Sequence, residues 1–361
     1  MVIEDRISRA DVWQHDAFEL PRLLGIPVAS PLEIERTIFL DIETTGLNPG
    51  AGTLVIVVGL GYATSNDVEV RQYFLHDPAI EIELLKSIAE LLGRFDCIVT
   101  FNGKRFDVPM LTGRFLLHRV ADPFPPQHLD LLSSSQRIWR RRLGRTNLAT
   151  LEAQVLGIVR ETDVPGYEIP SRYFSYLHDK AHDAIEPVLD HNRRDVLSMI
   201  KLAGTIQRLL LEGRNANETY PDDLIGLGRL LEAHGDWRRS IECYEAALFT
   251  ASPTERAEIL LRLADRARKS NELDRAIQLY EAVVTYASAA GSAAAIELAK
   301  IYEHQLRQPA RALQYARHAQ DVLRIRGGNK ASSRVPDVTR RIQRLESKTR
   351  LSKIVVPSRI S

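Results

Sequence analysis

One short segment, FLDIETTGL at residues 39–47, constrains the fold more than any other part of the chain. An apolar run of strand character leads into Asp41 and Glu43, and residues two apart on a strand face the same side. Two carboxylates on one face of a buried strand repel each other and lose hydration, which costs free energy unless a cation binds them. An exposed acidic edge strand is the alternative for the D-x-E spacing alone. The apolar run before Asp41 and the T-T-G-L sequel favour the buried site.

Two further acids stand in patterns that fit the same chemistry. Asp107 follows a strand and an Asn-Gly turn in FNGKRFD, at the start of a predicted helix. By itself it would serve as a helix cap, but with the first motif it is interpreted as a third carboxylate. Asp195 lies four residues after His191 on a predicted helix, so both side chains share one face. A histidine beside a metal-binding carboxylate can accept a proton from an attacking water, whereas an isolated pair is typical of a helix surface.

The first part of the chain alternates between strand and helix patterns. Valine- and isoleucine-rich runs bounded by glycines predict strands, and EIELLKSIAELLGRF has apolar residues at helical spacing. This alternation predicts a mixed central sheet flanked by helices over residues 31–213. Residues 1–30 are predicted to form a short helical lead-in.

The strand signal stops near residue 213, and the rest of the chain is helical and repetitive. Ser240-Ile241, Ala276-Ile277 and Ala312-Leu313 lie 36 residues apart. Such self-similarity predicts a stacked array of helix pairs, with a period close to the 34 of tetratricopeptide repeats. The predicted segments are helical repeats at 221–326, a capping helix at 335–349 and a flexible tail at 350–361.

Composition excludes several classes of protein. Hydrophobic content of 44% and charged content of 26% are normal for a globular chain. The longest apolar runs are too short to span a membrane, and the acidic N-terminus does not resemble a signal peptide, so we expect a cytoplasmic location. Cys97 and Cys243 are far apart in apolar segments, which favours two buried free thiols over a disulfide or a zinc site.

The net charge of +1 hides a local basic run. Residues 137–145, RIWRRRLGR, hold five arginines in nine positions, and Arg193 and Arg194 form another pair. A patch that faces phosphate groups and an ordinary solvated charged face both fit this pattern.

The order D-x-E, N-G-x-x-F-D and H-N-x-x-D resembles the DEDD exonuclease superfamily, and more closely its YprB-type branch, which is often fused to tetratricopeptide repeats. The blocks GAGTLVIVVGLGY, QHLDLL and LATLEAQVLGIVRETDVPGYEIPSRYF also resemble that branch, so the similarity covers about residues 30–210. The resemblance implies an α/β ribonuclease-H-like domain followed by an all-α tetratricopeptide-like domain.

For activity, the resemblance implies a metal-dependent 3′→5′ exonuclease that uses two Mg²⁺ or Mn²⁺ ions. Asp41, Glu43, Asp107 and Asp195 would bind the ions, and His191 would take the place of the general base. Better-characterised branches have a histidine five residues before the last acid or a tyrosine four before it, whereas this chain has a histidine at the tyrosine position. Further candidates for contact with substrate or with the acids are Thr44, Asn102, His128, Asp130 and Arg194.

Two other functions stay open at the level of sequence. The same fold can cut nucleic acid internally, and an idle nuclease-like site can belong to a nucleic-acid-binding scaffold whose repeats recruit a protein partner. Retention of all four acids favours an active enzyme. Whether DNA or RNA is the substrate does not follow from the residues.

Overall fold

The computed structural model describes residues 1–13, 18, 20, 33–48, 50, 52–160, 162–212, 220–326 and 335–354. Most of the predicted lead-in after residue 13 and of the predicted tail lies outside these residues. Contacts divide the chain into two units, Met1–Ser240 and Ile241–Ser361. None of the helices described here has the length and apolar character needed to cross a membrane.

A six-stranded mixed sheet forms the centre of the first unit. Its strands are β1 (Val2–Ser8), β2 (Thr37–Thr44), β3 (Val55–Ala63), β4 (Asp67–Phe74), β5 (Cys97–Thr100) and β6 (Gln127–Asp130). The strand order is β1-β4-β3-β2-β5-β6. The first four strands in that order pair antiparallel, whereas β2, β5 and β6 run parallel. The carboxyl ends of three parallel strands therefore meet at one edge of the sheet.

Helices account for most of the remaining described residues. They are α1 (Arg9–Val12), α2 (Glu81–Leu92), α3 (Asp107–Leu117), α4 (Leu131–Leu143), α5 (Leu148–Leu151), α6 (Ile169–Asp179), α7 (His182–Glu212), α8 (Pro221–Ala233), α9 (Trp237–Ala247), α10 (Pro253–Lys269), α11 (Leu273–Val284), α12 (Ala289–Lys300), α13 (Pro309–Arg326) and α14 (Val335–Ile354). A π-helical turn, Glu152–Leu156, continues α5.

Helices cover both faces of the sheet because its central strands are apolar on both sides. On one face Ile38 and Leu40 pack with Ile88 of α2 and Leu111 of α3. On the other face Val57 and Phe74 pack with Tyr173 of α6 and Val188 of α7. This mixed sheet with flanking helices, followed by a helical region, confirms the predicted fold class.

The prediction of a helical lead-in is wrong for residues 2–8, which form the edge strand β1. This strand pairs antiparallel with β4, where Arg71 contacts Glu4 at 2.9 Å and Arg6 contacts Glu69 at 3.7 Å. An edge strand with solvent on one side can be stabilised by such cross-strand charge pairs. It therefore lacks the alternating apolar pattern that identifies a strand in a sequence.

The second unit is helical, with an apolar core built on small residues. Ala276 of α11 and Ala312 of α13 are both fully buried, as are Tyr280 and Leu298. Small side chains at repeated positions let neighbouring helices approach closely. The tetratricopeptide-like character of these helices stays a prediction.

Helix α8, within the segment assigned to the repeats by sequence, lies in the first unit. It packs on α4 at Gly226, where a Cβ would lie 2.3 Å from the carbonyl oxygen of Ile138. The predicted domain bounds stay predictions. Cys97 and Cys243 are free and buried, as expected from the sequence.

Candidate active site

The carboxyl end of β2 presents the first two acids. Asp41 and Glu43 alternate with the buried apolar residues Leu40 and Ile42, so their side chains share the face of the sheet that α7 covers. The side chain of Glu43 is 13% exposed. Both carboxylates are therefore held at the border between the core and solvent.

Two glycines of β3 allow α7 to approach this face. A Cβ at Gly59 would lie 2.3 Å from Asn192 Oδ1, and one at Gly61 would lie 2.5 Å from Val196 Cγ1. Real side chains at these positions would push the helix away from the sheet. Close contact between α7 and β3 therefore depends on the alternating G-L-G sequence.

Asn192 of α7 fixes the position of Asp41. Its Nδ2 donates to Asp41 Oδ2 at 2.8 Å and to the Asp41 carbonyl oxygen at 3.2 Å. Gln72 of β4 in turn donates to Asn192 Oδ1 at 2.8 Å. Asn192 is fully buried, so the hydrogen bonds from Gln72 to Asn192 and from Asn192 to Asp41 hold the first acid in place.

The third acid, Asp107, is the first residue of α3 and is 5% exposed. Its Oδ1 accepts a hydrogen bond from the backbone N–H of Ile42 at 3.1 Å. Ile42 lies between Asp41 and Glu43 on β2. The loop after β5 is thereby tied to the strand that carries the first motif, and the sequence-predicted second and first motifs come together.

The fourth acid and the histidine reach the site from α7. His191 Nε2 lies 3.6 Å from Glu43 Oε1 and 3.7 Å from Asp195 Oδ2. The imidazole therefore stands between a carboxylate of the first motif and one of the last. The structure brings Glu43, His191 and Asp195 together, and the roles assigned to them from the sequence stay predictions.

Burial raises the pKa of all four carboxylates, and neighbouring acids of the site add to the increase at Asp41, Glu43 and Asp107. Burial raises the pKa of Asp41 well above its usual range, and the charges of Asp195, Glu43 and Asp107 add to the increase. The pKa of Glu43 is raised well above its usual range by burial and then by Asp195 and Asp107. Burial is also the main cause that raises the pKa of Asp107 to about 7 and that raises the pKa of Asp195. The acids of three separate segments therefore share one electrostatic environment.

One guanidinium partly compensates this negative charge. Arg160, whose side chain is 9% exposed, donates from Nη2 to Asp195. It also donates to both carboxylate oxygens of Glu152, from Nη2 at 2.6 Å and from Nε at 2.7 Å. Glu152 is itself almost completely buried. Arg160 thus links the π-helical turn after α5 to the last acid of the site.

Asp163 holds the histidine from the side opposite the acids. His191 Nδ1 lies 2.5 Å from Asp163 Oδ1, and Arg160 Nη1 lies 3.1 Å from Asp163 Oδ2. Burial would raise the pKa of Asp163, but the hydrogen bond with His191 and the charges of His191 and Arg160 outweigh it and lower this pKa. When Nδ1 donates to Asp163, Nε2 is the nitrogen left to accept a proton.

The chemistry of the acidic donor set fits hard divalent cations. Carboxylate oxygens that face one another are the ligands that Mg²⁺ and Mn²⁺ prefer. In the arrangement described for residues 33–48, 52–160 and 162–212, however, no three acidic, histidine or cysteine side chains stand close enough to enclose one ion. Asp41 is hydrogen-bonded to Asn192, and Asp195 to Arg160. Binding an ion therefore requires these side chains to rearrange.

Asp130 supports the loop that leads to Asp107. Its carboxylate accepts from the backbone N–H groups of Asn102, Lys104 and Leu132 at 2.9, 3.2 and 3.0 Å. Asn102 has a positive φ of 67°, which asparagine tolerates better than most residues. Asp130 thus both caps α4 and orders the Asn-Gly turn.

The other candidate side chains are engaged in local contacts. Thr44 Oγ1 donates to the Gly46 carbonyl oxygen at 2.7 Å. His128 Nε2 lies 2.8 Å from Thr100 Oγ1, and burial, followed by the charge of Lys104, lowers the pKa of His128 to about 4. A separate contact places Arg194 against the Thr162 carbonyl oxygen at 3.1 Å.

The basic run at 137–145 is divided between two environments. Arg141 pairs with Asp222, and Arg142 pairs with Asp223 at 2.8 Å, so these two arginines fasten α4 to α8. Neither the predicted phosphate-facing patch nor a fully solvated face describes them. Arg137, at the start of the run, lines a cavity instead.

Sequence reasoning missed three residues that shape the site, Asn192, Gln72 and Arg160. The Gly59-Leu60-Gly61 alternation in β3 was the available signal for a close helix contact, and hence for Asn192. Arg160 lies in the segment LATLEAQVLGIVRETDVPGYEIPSRYF, which resembles the YprB-type branch. Its distance in sequence from the acids does not indicate the contact with Asp195, because that contact forms only in the folded chain.

Comparison with known proteins agrees with this architecture. A family model described as RNase_H superfamily matches residues 38–207. The Bacillus subtilis (strain 168) protein named "Uncharacterized protein YprB" is 33% identical over 281 residues, which cover 77% of this chain and 67% of that protein. The family B DNA polymerase from the hyperthermophilic archaeon Pyrobaculum calidifontis is 17% identical, with a TM-score of 0.38 over 63% of this chain and 29% of the polymerase. That structural likeness is too low to carry an argument. From the family match and the YprB relationship, the chain belongs to the YprB family of the RNase H superfamily.

Proposed function

We propose that this protein is a metal-dependent nuclease that hydrolyses phosphodiester bonds of nucleic acid, acting as a 3′→5′ exonuclease. The observation that carries the proposal is the gathering of Asp41, Glu43, Asp107 and Asp195 from three segments into one place, where burial raises the pKa of all four and the charge of Asp195 adds to the increase at the other three. A fold stabilised for its own sake would pair buried acids with cations. Clustered like charges with perturbed pKa values are typical of functional sites.

The four acids would hold two Mg²⁺ or Mn²⁺ ions. In such sites a pair of divalent ions activates the attacking water and stabilises the leaving oxygen of the phosphodiester. Asp41 and Glu43 are anchored on β2, and Asp107 is anchored to the same strand through the Ile42 N–H. This shared anchor keeps the backbone segments of three proposed ligands together, while the side chain of Asp41 would rearrange to bind an ion.

His191 is the proposed general base. Its Nε2 faces Glu43 and Asp195, while Nδ1–H would donate a hydrogen bond to the Asp163 carboxylate. In this tautomer Nε2 accepts the proton of the attacking water. Arg160 contacts both Asp163 and Asp195, so we propose that it positions the base relative to the last acid.

The test is a nuclease assay on end-labelled single- and double-stranded DNA and RNA with Mg²⁺ or Mn²⁺. We expect metal-dependent cleavage by the wild type and at least about a hundredfold slower cleavage by Asp41→Asn, because the substitution removes a charged ligand. Asp183→Asn is the matched control, since Asp183 is exposed at the first turn of α7. Metal-dependent cleavage that is equal in all three proteins would refute the proposal.

The form of the products separates the alternatives. Mononucleotides released from the 3′ end support exonuclease action, whereas internal fragments from a circular substrate indicate an endonuclease. No metal-dependent product from any substrate, together with retained oligonucleotide binding, would favour a scaffold with an idle site. In that case the helical repeats become the main candidate for a protein-binding surface.

A further inference from the structure

The cavity lined by Arg137 lies within the first unit, is polar and has a volume of about 390 Å³. The loop 102–105 forms one wall, α4 forms another, and Leu230 and His234 complete it. The loop continues directly into Asp107. The cavity is therefore built on the same chain segment that delivers the third acid to the proposed active site.

Three cations line this cavity without a matching acid. Lys104, Arg105 and Arg137 are exposed, and no acidic side chain in the described part of the first unit forms an ion pair with them. Two later arginines of the same helix, Arg141 and Arg142, are both paired with aspartates. Helix α4 thus divides its arginines between a structural contact and the cavity.

The remaining ionisable groups of the wall do not cancel this charge. The carboxylate of Asp130 is used by three backbone N–H groups. Burial, followed by the charge of Arg137, lowers the pKa of His234, and an imidazole has no negative charge that could cancel the cations. Three cations against one carboxylate leave the cavity positive, and the polar side chains of Asn102, Ser133 and Gln136 supply further hydrogen-bonding groups.

The distance between the cavity and the acids is short enough for one nucleic-acid strand to contact both. Asp107 is the third residue after Lys104 in the chain, and a segment of three steps spans at most about 11 Å. Along one strand of a duplex, successive phosphates advance by about 3.4 Å along the helix axis. A strand whose scissile bond lies at the acids therefore reaches the cavity within a few nucleotides.

We propose that the cavity between loop 102–105 and α4 binds phosphate groups of the substrate strand, through Lys104, Arg105 and Arg137. This inference rests on the proposed nuclease function and adds to it the path of the strand. Contacts of cations to phosphates do not depend on base identity. The cavity therefore contributes affinity for nucleic acid of any sequence and holds the strand in register with the acids.

The test measures binding without cleavage. A short fluorescent single-stranded oligonucleotide, as DNA and as RNA, is titrated in EDTA at several salt concentrations, and its anisotropy is recorded. For Lys104→Gln/Arg137→Gln we expect at least about tenfold weaker binding at moderate salt. The slope of log affinity against log salt should fall by about 1.4, because each lost phosphate contact to a single strand contributes about 0.7.

The control is Lys86→Gln/Arg94→Gln, which removes the same charge from two exposed positions, one on α2 and one in the turn after it. We expect its affinity and salt slope to equal those of the wild type. Thermal unfolding of both double variants shows that each is folded. Equal loss of binding in the two variants, unchanged binding in the cavity variant, or a wild type that binds neither oligonucleotide at low salt would each overturn the inference.

The two proposals fail in different ways. If the wild type binds through the cavity but neither Mg²⁺ nor Mn²⁺ supports cleavage, the strand-binding site stands and the nuclease proposal falls. If the wild type cleaves and the cavity variant binds and cleaves equally well, the nuclease proposal stands and this inference falls.

Discussion

Buried carboxylates occur in both units of the molecule, with opposite electrostatic surroundings. In the second unit the side chain of Glu303 is 1% exposed and contacts Arg341, Arg344 and Lys348. Burial would raise the pKa of Glu303, but the hydrogen bonds from Arg344 and Lys348 outweigh it and lower this pKa to about 2. In the first unit the acids around Asp107 face one another, and their pKa values are raised.

The difference indicates what each cluster is for. Glu303 has more cationic partners than it needs, so the protein itself satisfies the buried charge and the cluster joins α14 to the turn after α12. At the proposed site the charge of Arg160 lowers the pKa of Glu43 and Asp195, but burial and repulsion between the acids outweigh it at Glu43, and burial outweighs it at Asp195. An arrangement that costs stability without an added cation is expected at a site that binds one.

After the loss expected for Asp41→Asn, the largest effect on cleavage is expected at the proposed base. His191→Ala should slow single-turnover cleavage by about a hundredfold, because general-base catalysis contributes about 10²- to 10⁴-fold. His178→Ala, at an exposed position near the end of α6, is the control. An unchanged rate for His191→Ala would remove this residue from the mechanism and leave the acids without a proton acceptor at that position.

A smaller loss of activity is expected when Arg160, the arginine that contacts Asp195, is replaced by lysine. Arg160→Lys keeps the charge but loses the forked contact to Glu152 and Asp195. We expect about tenfold slower cleavage, the lower end of the effect of losing a residue that supports metal ligands.

The matched control for Arg160 is Arg114→Lys. Arg114 binds Glu81 through Nε and Nη2 in the same forked manner, and both side chains are buried. We expect Arg114→Lys to lower the melting temperature but to leave the cleavage rate of folded protein unchanged. Equal rates for Arg160→Lys and the wild type would show that the contact to Asp195 has no role in positioning.

Neutralising Asp107, one of the four acids of the proposed site, should stabilise the metal-free protein. The pKa of Asp107 is about 7 in the folded chain against an ordinary value of 3.8. The folded state therefore binds more protons between these values, and its stability falls as pH rises through that window. In EDTA at pH 8, Asp107→Asn should raise the free energy of unfolding by about 2 kcal/mol, half of the roughly 4 kcal/mol that the full shift represents.

Denaturant unfolding in EDTA at pH 4 and pH 8 checks this prediction. The gain from Asp107→Asn should shrink at pH 4, where the wild-type carboxyl is protonated. A variant that is less stable than the wild type at pH 8 would show that the acids are not under electrostatic strain.

Neutralising Glu303 should have the opposite effect on stability, lowering the free energy of unfolding. Its folded pKa of about 2 lies below the ordinary 4.5, so its stabilising contribution is present above pH 4.5 and is lost as pH falls towards 2. We expect Glu303→Gln to lower the free energy of unfolding by about 1 kcal/mol at pH 7, since Arg344 and Lys348 are half exposed and solvent screens the pairs. A stabilising effect would erase the contrast between the clusters.

Much of the fold was predictable because its signals are local. The strands β2, β3 and β5 are short apolar runs bounded by turns, β4 alternates in character, and the D-x-E motif marks β2 at the centre of the sheet. The edge strand β1 was not predictable in this way, because charge pairs with β4 rather than an apolar pattern stabilise it.

The site was predictable in its acids but not in what holds them. Asp41, Glu43, Asp107 and Asp195 stand in motifs with recognisable spacing. Asn192, Gln72 and Arg160 act through contacts between distant segments, and such contacts leave no spacing in a single sequence. The division of the basic run is of the same kind, because only the packing of α8 on α4 decides which arginines are paired.

The central claim is that Asp41, Glu43, Asp107 and Asp195 bind metal ions. Its most direct test is a titration of the metal-free protein with Mn²⁺, in which calorimetry measures binding and thermal unfolding measures stabilisation. We predict binding to the wild type and a stabilisation of about 2.7 kcal/mol when the free ion is at a hundred times its dissociation constant. Asp41→Asn should lose most of this binding, whereas Glu303→Gln should bind as the wild type does. Absence of binding to the wild type, or equal binding to Asp41→Asn, would contradict the assignment of these acids as a metal site.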